Sequence, residues 1–159
     1  MPRLICDADN TLIHVGGDPD GKPREHVIGA VKLFIKAGWD VYVWSHGGAD
    51  RAFECVRKAG LGGAISASRC YEKPLHPYTL ACVRGQLGFL PDLQFDDLET
   101  EAIPGVLFVH TPRTGDSGAE AEAAALAHEA LVATGSKAAK LQWIANMKST
   151  LHRYEGEEA

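Results

Sequence analysis

The stretch Leu4-Ile5-Cys6-Asp7-Ala8-Asp9-Asn10-Thr11-Leu12 sets the reading of the whole chain. Its short apolar run reads as a buried strand, and the polar cluster after it as the loop into which that strand empties. Downstream, Leu12-Ile13-His14-Val15 runs into Gly16-Gly17-Asp18-Pro19-Asp20-Gly21, whose turn chemistry predicts a short hairpin flap. From Arg24 to Ala37 the residues Val27, Ile28, Val31, Phe34 and Ile35 recur at three- and four-residue steps, which predicts a helix with one buried face, closed by Gly38.

The same alternation continues along the chain. Val41-Tyr42-Val43-Trp44 is a strand ending at Ser45, and His46-Gly47-Gly48 leads into a helix carrying Phe53, Val56 and Leu61. Ala64-Ile65-Ser66 is the expected third strand, and Lys73-Pro74 precedes a helix with Tyr78, Leu80, Cys82, Val83 and Leu87. Leu93-Gln94-Phe95, followed by Asp96-Asp97, and Val106-Leu107-Phe108-Val109 supply two more strands, the last apolar enough to be covered on both faces. An Ala- and Glu-rich helix is expected over Ala119–Ala133, then a last amphipathic helix bearing Leu141, Ile144, Met147 and Leu151 opposite Lys137, Lys140, Lys148 and Arg153. Strands separated by helices predict a parallel sheet and an α/β fold.

Composition narrows the function classes. A chain of 159 residues, 45% hydrophobic and 23% charged, fits one folded domain. The net charge of −5 argues against a surface built to neutralise nucleic acid. No apolar run approaches a membrane span, and the first residues lack a signal-peptide layout, so no membrane partner and a cytoplasmic setting are expected. Cys6, Cys55, Cys70 and Cys82 form no CxxC pair and read as reduced packing residues; the seven histidines lack zinc-ligand spacing.

Ligands of an open parallel sheet bind outside the carboxyl ends of its strands, and Asp7, Asp9, Ser45, Asp96 and Asp97 all fall at such ends. Each alone reads equally well as a helix cap or a solvated loop residue. Together, four carboxylates at one edge repel one another unless a cation neutralises them, and an oxygen shell of this kind suits Mg²⁺. Lys73 adds a second positive centre, so a phosphoryl dianion would bridge metal and ammonium while accepting from Ser45 and from amides of the Asp9-Asn10-Thr11 turn.

Asp7-Ala8-Asp9-Asn10-Thr11 resembles the DxDxT signature of the haloacid dehalogenase superfamily, and Ser45, Lys73 and Asp96-Asp97 resemble its later motifs in the same order. The resemblance runs from Leu4 to about Val109. It implies a Rossmann-like three-layer α/β/α sandwich with a central, mostly parallel sheet, a short flap hairpin and no cap domain, because both gaps in which that superfamily inserts a cap are short. Residues 1–135 would form this core, with 136–159 a C-terminal amphipathic helix and acidic tail of the same domain.

The implied activity is Mg²⁺-dependent hydrolysis of a phosphomonoester through an aspartyl-phosphate, with Asp7 the nucleophile and Asp9 the general acid and base. Asn10, Ser45, His46 and Lys73 would bind phosphate; Asp7, Asp9 (through its main-chain carbonyl), Asp96 and Asp97 would hold Mg²⁺. His14, Arg51, Arg69 and Arg113 are further candidates for shaping the site, although the arginines read more readily as surface residues. The substrate would be a small molecule or a macromolecular end, and a lidless site makes a homodimer the assembly to test. A phosphotransferase or phosphomutase uses the same residues with another acceptor, and a non-catalytic scaffold could keep the fold. A signalling receiver domain carries its acids in a different order along the chain.

Overall fold

The computed structural model describes residues 2–15 and 21–111. The tip of the expected flap, Arg113, the Ala119–Ala133 helix and everything expected from 136 onward lie outside the described residues. Among those described, the fold is α/β: a five-stranded, all-parallel sheet with three helices, compatible with a Rossmann-like arrangement. Its elements are β1 (Arg3–Asp7), α1 (Glu25–Lys36), β2 (Asp40–Ser45), α2 (Ala49–Lys58), β3 (Cys70–Glu72), α3 (Leu80–Leu87), β4 (Leu93–Asp96) and β5 (Leu107–His110). Strand order is β3-β2-β1-β4-β5, so β1 is central and the order reverses between β1 and β4. A reversal of this kind opens a crevice at the strand ends.

Period-two alternation divides the strand residues between two cores. Leu4, Cys6, Val41, Val43, Leu93 and Phe95 face Val27, Val31 and Phe34 of α1 and Ala52, Cys55 and Val56 of α2. Ile5 and Trp44 face the other way, with Val83 and Leu87 of α3, Tyr78 and Ile103. Phe34 is a hub of the first core, its ring edge-on to Trp39 and Phe95 at centroid distances of 4.9 and 5.7 Å. Each such fully buried side chain is worth about 1.5–3 kcal/mol over its exposed state.

Helix ends follow their sequence signals. At the end of α1, Gly38 takes φ +89°, a left-handed conformation that ordinary side chains resist, while the amides of Ala37, Gly38 and Trp39 return to carbonyls of the last turn. Thr79 caps α3 by accepting from the Cys82 amide at 3.0 Å. No helix among the described residues is long and apolar enough to cross a membrane.

Two expectations need correction. The third strand is Cys70–Glu72, not Ala64–Ser66. The apolar signal at Ile65 comes from a buried plug beneath the end of α2, where the Ile65 amide bonds back to Leu61. Cys82 is exposed on α3, unlike the buried Cys6, Cys55 and Cys70. The flap's base pairs as a hairpin would, with the His14 amide on the Lys22 carbonyl and Ile13 opposite Pro23.

Candidate functional site

Parallel register brings the acids together. Asp7 ends β1 beside Trp44 of β2, and Cys6 pairs with Phe95, which sets Asp96 at the adjacent mouth. The true position of β3 matters here. Cys70–Glu72 pairs with Val43–Ser45, and the next amide, that of Lys73, continues onto the Ser45 carbonyl at 2.8 Å. Lys73 therefore leaves the sheet directly at the carboxyl edge.

The Lys73 ammonium is buried among three carboxylates: Asp7 Oδ1 at 3.2 Å, Asp96 Oδ2 at 2.6 Å, and Glu101 Oε2. The other oxygen of Asp7 accepts from the Thr11 hydroxyl at 3.2 Å, and Asp96 Oδ1 accepts from the Leu98 amide at 2.9 Å. Carboxylate oxygens of Asp7, Asp96 and Asp97 lie within 4.8 Å of one another, close enough to share a metal ion. Asp7, Asp9, Asn10, His46, Lys73, Asp97, Leu98 and Glu101 line a cleft of about 110 Å³. Asp96, fully buried, stands behind that wall.

Asp9 faces a different set of partners. Its Oδ2 accepts from Ser45 Oγ at 3.0 Å, and its Oδ1 meets Arg51 through Nε at 3.0 Å and a terminal nitrogen at 2.9 Å. Gly47 leaves room for this: a Cβ there would stand 3.0 Å from Arg51 Cγ and 3.4 Å from Ser45 Oγ. Asn10 adopts φ +60°, a conformation that Asn tolerates better than most residues, and its side-chain oxygen accepts from the Val15 amide. The Asn10 and Thr11 amides, expected to face phosphate, donate to Ile13 and Ala8 carbonyls within the turn. His46, expected to bind phosphate, lines the cleft with its ring nitrogens on the Lys73 carbonyl at 3.1 Å and Glu101 Oε1 at 2.8 Å.

Electrostatics follow from this crowding. Burial and the neighbouring Asp96 hold the Asp7 carboxyl well above the usual range, with Lys73 opposing. Burial pushes Asp96 up to about 7, again against the pull of Lys73. Burial works against the charge on Lys73, yet Asp7 and Asp96 raise its pKa above the ordinary value. Glu101 is also desolvated, but Lys73 and His46 hold it below the usual range. The carboxylates of Asp7, Asp9, Asp96, Asp97 and Glu101 outnumber the cations Lys73, Arg24 and Arg51 that face them.

Two participants escape sequence reasoning. Glu101 lies in a short 3₁₀ turn, Glu99–Glu101, where the acid-rich run reads as solvated surface, although it is buried. Arg24 reads as a helix start, but it is buried with its guanidinium on the carbonyls of Asn10 and Thr111, and it feels Asp97. Of the other candidates, Arg69 pairs with Asp40. Comparison with protein-family models, curated proteins and solved structures finds no match to this chain.

Proposed function

We propose that this chain is a Mg²⁺-dependent phosphomonoester hydrolase of the haloacid dehalogenase type, a capless three-layer α/β/α sandwich that works through an aspartyl-phosphate on Asp7. The observation that carries the reading is the grouping of Asp7, Asp96 and Asp97 within 4.8 Å while the same Asp7 carboxylate touches Lys73, at the sheet's point of reversal. The donor set is all oxygen and its acids outnumber its cations, which fits Mg²⁺ better than a softer metal. Asp7 and Asp97, which line the cleft, would hold the ion with Asp96 and the Asp9 carbonyl. When bound, Mg²⁺ supplies charge neutralisation that lets an anionic nucleophile approach an anionic ester.

The chain's own residues divide the remaining work. Asp7, fixed by Lys73 and Thr11, attacks phosphorus and forms the acyl phosphate as the ester oxygen departs. Asp9, kept beside the cleft by Ser45 and Arg51, protonates that oxygen and then takes a proton from the water that hydrolyses the aspartyl-phosphate. Lys73 offsets negative charge as it builds. The cleft is large enough for a phosphoryl group and little more, so the alcohol portion of the substrate lies outside it, past half-exposed His46 and Leu98.

The test is hydrolysis of an aryl phosphate with and without Mg²⁺ by the wild type and by Asp7→Asn. Metal-dependent turnover abolished in the variant is the expected result. Failure of the wild type to bind either Mg²⁺ or the phosphoryl mimic BeF₃⁻ would overturn the proposal.

A further inference from the structure

Lys73 has three N–H donors and no acceptor. Each donor meets a different carboxylate: Asp7, Asp96 and Glu101. A phosphoryl group arriving under the phosphatase reading, on which this inference rests, therefore finds every donor of the ammonium occupied. Asp7 and Asp96 belong to strand ends, and Asp96 is tied further to the Leu98 amide. Glu101 differs, since it sits on a 3₁₀ turn, lines the cleft, and has a second oxygen with partners of its own. That oxygen, Oε1, lies 2.8 Å from His46 Nε2 and 3.5 Å from His76 Nδ1.

His46 gives Glu101 a second partner. Nδ1 faces the Lys73 carbonyl, which only accepts, and Nε2 faces the Glu101 carboxylate. The Nε2 contact anchors the outer oxygen of Glu101 to the rim. Glu101 is thus shared between Lys73 at the bottom of the cleft and His46 at its rim.

The geometry points to Glu101 as a positioning residue that holds the place of a phosphoryl oxygen on Lys73, yields that N–H to the substrate, and is then retained at the rim by His46. The exchange makes Glu101 a filter on ligand charge. A dianionic phosphomonoester competes for the ammonium better than a singly charged carboxylate or sulfate ester does, so the resting site admits the former and turns away the latter.

The two partners of Glu101 predict effects of opposite sign, measured as binding of inorganic phosphate by calorimetry in the presence of Mg²⁺ and as KM for an aryl phosphate. Glu101→Gln keeps the shape and removes the competing charge, so phosphate binds about tenfold tighter or more and KM falls with it. His46→Asn strips Glu101 of its alternative partner, so phosphate binds several-fold more weakly. General damage to the site does not move two neighbouring substitutions in opposite directions, and thermal melts of both variants check that they fold. Unchanged or weaker phosphate binding by Glu101→Gln, with wild-type turnover intact, overturns the inference alone and leaves Glu101 a structural support for Lys73. Absence of phosphate binding in both wild type and Glu101→Gln overturns the inference and the phosphatase reading together.

Discussion

Replacing Lys73 by Met keeps most of the side chain's volume and removes the ammonium that three buried carboxylates share. Asp7, Asp96 and Glu101 are each within a tenth of full burial, so water cannot take over the role of Lys73. Breaking a buried pair by deleting one partner costs about 3–5 kcal/mol. Three partners place Lys73→Met toward the upper part of that range, a shift of roughly a thousandfold in the folding equilibrium. The assay is urea denaturation at pH 8 in the presence of a chelator, followed by fluorescence. Since protonated carboxyls repel one another less, the difference from wild type should narrow as the pH falls. Added Mg²⁺ should recover part of it. A loss below about 1 kcal/mol at pH 8 would refute the reasoning, because it would mean that the carboxylates are neither desolvated nor mutually repulsive to the extent the geometry requires.

Two further outcomes follow from the same geometry. Asp96 is raised to about 7 and Asp7 is raised as well, so the metal-free folded state holds protons that the unfolded chain has released; stability should therefore decline as the pH climbs from the ordinary carboxylate range through about 7, and Mg²⁺ affinity should rise over that window with proton release, measurable by calorimetry in buffers of different ionisation enthalpy. Gln94, fully buried, donates to the Glu101 carbonyl and accepts from the Ile103 amide, both at 2.8 Å; Gln94→Leu orphans both groups and should cost about 2–4 kcal/mol in urea denaturation, since each unsatisfied buried group costs about 1–3 kcal/mol.

The parts legible in the sequence are those whose signal is local. Leu4-Ile5-Cys6 announces a buried strand by apolarity alone, and α1 announces itself through the spacing of Val27, Val31 and Phe34. Asp7, Asp9, Ser45, Lys73, Asp96 and Asp97 are visible because each follows or precedes such an element, and the structure brings them to one edge. Ile65 misleads because burial as a plug and burial in a strand leave the same apolar mark, whereas Cys70-Tyr71-Glu72 becomes a strand by pairing with β2. Glu101 and Arg24 stay hidden for a related reason. A buried charge has no local pattern: its burial depends on partners up to 87 residues away, as the contact between Arg24 and Thr111 illustrates.

The central place of β1 also bears on the order in which the molecule comes into being. Its Leu4 lies beside Val41 on one side and Leu93 on the other. During synthesis at about 5–20 residues per second, the second neighbour leaves the ribosome roughly 5–20 s after the first strand. Until then Asp7, Asp9, Ser45 and Lys73 can assemble without Asp96, Asp97 or Glu101, as half of the cluster seen in the folded chain. Under the proposed reading, acquisition of Mg²⁺ would be tied to closure of a single seam, and a nascent or nicked chain lacking β4 would carry Asp7 without the acids that hold the ion beside it.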